Sequence, residues 1–265
     1  MDTELPAYDP LQSAYHRAFR RELYRMLDRL PFPAGGRALD APCGDGFYAT
    51  RLAERGEVVA LDIDPAYLRE AQRESKSATM TVASGDVYAL DFPAESFDLI
   101  FCGQSLITLD DAPRAIAEFT RVLRPNGVLA VYESDEYHHV LLPWPVGLEV
   151  AVHSALHAAS RDKYGSGAKL AATRSVFGHL RDAGYRTARR KTFAMDRVAP
   201  FRKADRRFLR LHLQFLRKMV AERLTSDQLE KFDAFATSED EESFLGSGTA
   251  EFTCLGALYS GRKGG

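Results

Sequence analysis

The chain has 265 residues, 45% of them hydrophobic, with 35 Lys and Arg against 37 Asp and Glu and a formal net charge of −2. That length suits one large domain, or one domain with an insertion, and the charge sets up no overall field favouring nucleic acid or an anionic membrane. No apolar run reaches the roughly 20 residues that span a bilayer. The acidic start, Met1 to Pro6, lacks the parts of a signal peptide. Cys43, Cys102 and Cys254 form no CxxC pair and leave an odd number, so a reduced, cytoplasmic location is expected.

Residues 1–10 read as irregular, with Pro6 and Pro10. Ala14, Ala18, Phe19, Leu23, Met26, Leu27 and Leu30 recur at helical spacing and predict a helix over 11–30, stopped by Pro31 and Pro33. A buried strand follows at 38–41, then a turn through Gly44 and Gly46, then a helix from Phe47 to Arg55 ended by Gly56. Strands are expected at 57–62, 80–84, 97–102 and 128–133. Helices are expected at 66–75, behind Pro65, and at 113–123. Strands alternating with helices imply parallel pairing with right-handed crossovers, and such sheets bind ligands at the carboxyl ends of their strands. Asp40, Asp62, Asp86 and Gly103 all fall at or just past those ends, so they converge on one rim.

The turn is the chemical centre of the pattern. Gly44 and Gly46 have no Cβ, so the chain can turn sharply and admit a ligand close to the backbone. The helix behind Gly46 aims unpaired N–H groups and a partial positive charge into the turn. Gly44-x-Gly46-x-x-Ala49 fits the dinucleotide fingerprint, and Asp62 is placed to accept from ribose hydroxyls. Asp40 is awkward beside a pyrophosphate, because like charges repel. It suits a ligand with an ammonium or sulfonium group, and S-adenosylmethionine has both, plus a carboxylate.

Asp40-Ala-Pro-Cys-Gly-Asp-Gly46, Leu61-Asp-Ile-Asp64, Gly85-Asp86, Ser96-Phe-Asp-Leu-Ile-Phe101 and Leu123-Arg-Pro-Asn-Gly-Val-Leu129 resemble, in order and spacing, the motifs of class I S-adenosylmethionine-dependent methyltransferases. The resemblance spans about 37–134 and is greatest to the small-molecule branch containing the ubiquinone and menaquinone biosynthesis enzymes. It implies an α/β, doubly wound, mostly parallel seven-stranded Rossmann-like sheet with an antiparallel C-terminal strand and helical lid insertions. It also implies that Asp86 accepts from the adenine amino group while the next backbone N–H, at Val87, meets a ring nitrogen. The expected cofactor residues are Asp40, Cys43, Gly44, Gly46, Asp62, Ile63, Asp86, Val87, Gly103 and Gln104. Pro42 stands where the family usually has its first glycine and removes one backbone donor there. By the same resemblance residues 1–35 form a lid, in which Tyr8 and Tyr15 close over the cofactor or simply pack. Cys102-Gly-Gln-Ser105 lacks the Asn-Pro-Pro-aromatic motif of enzymes that methylate bases, so nucleic acid is not the expected substrate.

After Glu133 the pattern changes. Helices are expected at 146–163, 173–184, 203–222 and 226–235, and strands at 185–196 and 251–260, the last two pairing antiparallel. This divides the chain into a lid (1–35), a cofactor core (36–134) and a substrate side with the last strands (135–265). Methyl transfer needs a base only for a protonated nucleophile; His138 and His139, just past the fifth strand, are the catalytic candidates, and packing or surface histidines are the plain alternative. Glu149, His153 and His157 share one helical face, a pattern short of a metal site, and no metal is expected. Trp144, Phe201, Phe208 and Phe215 either line an apolar pocket or fill the core; the basic stretch 203–222 and His212 read as surface or packing. The reading is a methyltransferase for a small organic acceptor, at oxygen, nitrogen or carbon. Its rivals are a nicotinamide-dependent oxidoreductase and a non-catalytic scaffold. Acceptor identity and oligomeric state stay open.

Overall fold

The computed structural model describes residues 10–75, 77–106, 108–135, 137–164, 173–237 and 240–264. Tyr8, the 165–167 turn and part of the acidic 238–243 loop lie outside them. The first half runs α1 (Pro10–Asp28), β1 (Arg37–Asp40), α2 (Phe47–Leu52), β2 (Glu57–Asp62), α3 (Pro65–Glu74), β3 (Met80–Ser84), β4 (Phe97–Gly103), α4 (Ala112–Val122) and β5 (Leu123–Ser134). The second runs β6 (Val140–Leu142), α5 (Val146–Tyr164), α6 (Thr173–Asp182), β7 (Arg189–Val198), α7 (Lys203–Val220), α8 (Ser226–Ala236) and β8 (Glu251–Arg262).

The described strands form one sheet in the order β3-β2-β1-β4-β5-β8-β6, with β7 on the other edge of β8. β1 to β5 pair in parallel, and β5, β6 and β7 all meet β8 antiparallel. The expected doubly wound sheet is present with eight strands rather than seven. The addition is β6, three residues long and held by pairing with Thr253, Phe252 and Glu251. β7 starts four residues later than the 185 expected for that strand, because Tyr185 is pulled into the core and bonds Thr120 through its hydroxyl at 2.9 Å.

Alternate residues of the central strands go to opposite faces. Ala38, Leu99, Phe101, Ala130 and Tyr132 join a core with α1, α2, α5, α7 and α8. Leu39, Ile100, Cys102, Leu129 and Val131 join a second core with α4 and α6. Both faces are covered, which is why these strands read as continuous apolar runs. The order of strands along the sheet reverses between β1 and β4, so their carboxyl ends open a crevice. Arg197 of β7 fastens α1 to the sheet and to α7: its guanidinium bonds the Ala18 carbonyl at 2.6 Å, Glu22 at 3.0 Å and Asp205 at 2.9 Å.

Candidate active site

The crevice is built from the backbone of the glycine turn outward. Ala41 N–H donates to Phe101 O at 3.0 Å, and Cys43 N–H to Leu61 O at 2.8 Å, so the turn is strung between β4 and β2. Gly46 N–H closes it on Cys43 O at 2.9 Å, with Gly44 at φ 52 and Gly46 at φ 76. Both angles are left-handed, where any residue with a Cβ is strained.

Asp62 holds the turn from beneath. Its carboxylate accepts from Gly44 N–H at 2.9 Å and from Asp64 N–H at 3.0 Å. Burial pushes its carboxyl above the usual range, and the N–H groups of Asp64, Gly44 and Ile63 pull it back. A carboxylate has about four lone-pair sites, so acceptor capacity remains for ligand hydroxyls. Next to it Ile63 is 58% exposed, an apolar side chain with a face to offer a flat ring. Asp64 caps α3 through Ala66 N–H at 2.7 Å. Asp86 accepts from Tyr88 N–H at 2.8 Å, which fixes the β3 end, and Val87 is buried beside it.

Asp40 is the unusual group. It is fully buried, and neither carboxylate oxygen has a hydrogen-bond partner. Burial drives its carboxyl well above the usual range; the Ala49 N–H pulls the other way from outside hydrogen-bonding geometry, and Asp45 and Asp62 add repulsion. Buried acceptors without partners are rare because each costs about 1–3 kcal/mol or more. A cationic ligand group would supply what Asp40 lacks, so the donor set fits the ammonium end of S-adenosylmethionine. Cys43 is buried as well, its thiol pushed up by burial and turned onto Gly44 O at 3.5 Å.

On the other wall, Gly103 leaves no room for a Cβ, which would lie 2.6 Å from the Phe101 ring and 2.7 Å from Tyr48. Gln104 follows at φ 53 and is tied on every side. Its amide oxygen accepts from Tyr48 OH at 2.6 Å and Gln12 Nε2 at 2.7 Å, and its Nε2 donates to Ser134 at 2.8 Å. Glu133 Oε1 accepts from Ser105 and Leu106 N–H at 3.0 and 2.8 Å.

The structure thus gathers Asp40, Cys43, Gly44, Gly46, Asp62, Ile63, Asp86, Val87, Gly103 and Gln104 at one end of β1 to β4. It separates the two histidines. His138 is exposed and bonds Asp135 through Nδ1 at 2.8 Å. His139 is buried, its ring 5.4 Å from His212 and 5.5 Å from Phe252. Trp144 packs on Phe235 at 4.8 Å, Phe201 on Phe244, and Phe208 on Phe19 and Tyr15. His212 is buried among Phe208 and Phe252, a packing residue. A cavity of about 720 Å³ between α5 and α8, lined by Leu148, Phe235 and Lys231, contains none of the site residues.

Sequence patterning did not single out Gln12, His16, Tyr48 or Glu133. His16 is buried on α1, stacked 4.0 Å from Phe47, with Nδ1 3.7 Å from Asp45. A histidine on the apolar face of a helix was the available signal.

Residues 39–131 match a family model described as a methyltransferase domain. The chain is 28% identical over 246 residues, 90% of its length and 85% of the other's, to 27-O-demethylrifamycin SV methyltransferase of Amycolatopsis mediterranei. It is 29% identical over 140 residues to demethylmenaquinone methyltransferase of Bacillus cereus, which spans 49% of this chain and 58% of that protein. The crystal structure of the YcgJ protein from Bacillus subtilis aligns with TM-score 0.59 at 16% identity, over 93% of this chain and 99% of that one, a likeness of fold. With the fold and the cofactor crevice already in place, these matches favour an S-adenosylmethionine-dependent methyltransferase over an oxidoreductase: residues 39–131 match a methyltransferase domain, and the chain is similar to a methyltransferase along most of its length.

Proposed function

We propose that the chain transfers a methyl group to a small, largely apolar organic acceptor, and that the acceptor atom is a hydroxyl oxygen. The observation that carries the cofactor half is the buried, unpartnered Asp40 beside a turn held by Asp62. In this reading Asp40 takes the cofactor's ammonium and Asp62 its ribose hydroxyls. Asp86 takes the adenine amino group, Val87 N–H a ring nitrogen, and Ile63 packs on the adenine face. Cys43, Gly44 and Gly46 form the backbone wall, and Gly103 and Gln104 stand at the reacting end.

When bound, S-adenosylmethionine supplies an activated methyl group on sulfur. The protein's part is placement and exclusion of water. Residues 1–35 act as lid, 36–134 as cofactor core and 135–265 as acceptor side. Gln104 is fixed by Tyr48, Gln12 and Ser134, so its side chain is already oriented for an acceptor. His138 and His139 are kept for the acceptor's proton: His138 is open to solvent and oriented by Asp135, whereas His139 would act only after its ring cluster opens. The rifamycin enzyme, matched along most of both chains and named for an O-demethylated substrate, supports an oxygen acceptor. Three buried free cysteines and the absence, among the described residues, of a helix long and apolar enough to cross a membrane support a cytoplasmic setting.

The test is to incubate the protein with S-adenosylmethionine and a panel of phenols, hydroquinones and hydroxylated macrocycles, and to follow S-adenosylhomocysteine. Formation with a hydroxylated small molecule is expected. Turnover only with protein or nucleic acid acceptors would overturn the proposal.

A further inference from the structure

The glycine turn collects three acids, Asp40, Asp45 and Asp62. An amino-acid end of a ligand is a zwitterion, so an ammonium site alone is half a site. Its carboxylate needs a donor. The first N–H of α2, at Phe47, is already taken by Asp45 at 3.1 Å. One side-chain ring nitrogen near the turn is buried and without a hydrogen-bond partner, namely His16 Nδ1.

The state of that nitrogen follows from its neighbours. Gln12 Nε2 lies 3.2 Å from His16 Nε2 and donates to Gln104 at 2.7 Å, so it presents a donor to the ring and His16 Nε2 is the acceptor. The remaining proton of a neutral imidazole then sits on Nδ1. Asp45, 3.7 Å away, favours the same tautomer but stands too far for a hydrogen bond. The ring is held by stacking on Phe47 and by an edge contact with Tyr48 at 5.1 Å, both in the first turn of α2. Asp40 acts on the same turn through Ala49 and Tyr48. An unpartnered acceptor and an unpartnered donor therefore border one short segment, which is the complement of an α-amino acid.

We propose that His16, carried on α1, recognises the carboxylate of the cofactor's methionine end through Nδ1–H, as Asp40 recognises its ammonium. The proposal rests on the cofactor site described above and adds a positioning residue from the lid. Binding would then hold α1 on the turn where it already packs, and Gln12, one helical turn away and bonded to Gln104, would link that contact to the acceptor side.

The experiment compares two ligands by calorimetry, S-adenosylmethionine and its decarboxylated analogue, which keeps sulfonium and ammonium but lacks the carboxylate. His16→Phe keeps the ring stack and removes the donor. It is expected to weaken S-adenosylmethionine about 10- to 100-fold, the scale of a lost hydrogen bond to a charged group, and to leave the analogue within about twofold of wild type. His16→Asn, which keeps a donor, is expected to fall between. Circular dichroism and melting temperature check that the variants fold. Equal losses on both ligands, or no loss on either, would overturn the assignment of His16 while leaving the methyltransferase reading intact. Failure of the wild-type protein to bind S-adenosylmethionine would instead remove the reading on which the proposal rests.

Discussion

Replacing Asp40 by Asn separates what the residue costs the fold from what it gives the ligand. Asp40 is fully buried with both oxygens unpartnered, and burial raises its carboxyl well above the usual range. A raised acid binds its proton more tightly in the folded chain than in the unfolded one. The stability it permits is therefore full below the unfolded value of about 3.9 and declines as pH rises toward the folded value. The decline is at most about 1.4 kcal/mol per pH unit inside that window. Asn cannot ionise, so the variant lacks this slope. Urea unfolding of both proteins, without cofactor, at a series of pH values from about 4 upward should show Asp40→Asn gaining on wild type as pH rises. Cofactor affinity should move the other way, falling by about 2 kcal/mol for a lost charge-assisted contact. Wild-type binding should also release a proton from the raised carboxyl, and Asp40→Asn should not, read by calorimetry in buffers of different ionisation enthalpy. Parallel stability curves for the two proteins would refute the reasoning, because they would mean that Asp40 ionises in the fold as freely as in water.

Three further outcomes follow from the same geometry. Asp62→Ala should weaken S-adenosylmethionine by about 1–3 kcal/mol in calorimetry, since it removes the group that fixes Gly44 N–H as well as the ribose acceptor. Gly46→Ala should destabilise more than Gly44→Ala in urea unfolding. Both lose the left-handed freedom, at about 1–2 kcal/mol each, but a Cβ at Gly46 meets Met80 at 3.0 Å and Ala71 Cα at 3.2 Å, whereas one at Gly44 meets nothing within 4 Å. Glu133→Ala should cost about 2–4 kcal/mol by stranding two buried N–H groups, and Glu133→Gln much less, because its carbonyl can still accept from Ser105 and Leu106.

The sheet was legible where burial wrote it into the chain. β1, β2, β4 and β5 are covered on both faces, so each appears as an apolar run bounded by Gly, Asp or Pro. β6 was not legible, since three residues between a polar stretch and Pro143 carry no period, and only the pairing with β8 makes them a strand. β7 was displaced for a related reason. It is an edge strand, largely exposed and rich in Arg, and its start is set by Tyr185 anchoring the chain before it. In the site, Asp40 and Asp62 were readable because an acid at the end of a buried strand has little other reason to be there. Their roles depend on position along the chain. Those of Gln12 and His16 do not: Gln12 meets Gln104 across 92 residues, and His16 meets Asp45 only once α1 lies on the turn. The paired histidines 138 and 139 illustrate the opposite failure. Adjacency in sequence suggested a shared role, but the chain turns one ring to solvent and buries the next.

The most direct test of the central claim is calorimetric titration of the purified protein with S-adenosylmethionine, S-adenosylhomocysteine and NADH. The crevice around Asp40 and Asp62 predicts micromolar-scale binding of the first two and none of the third. Absence of binding by both sulfur ligands, or saturable binding of NADH, would contradict it.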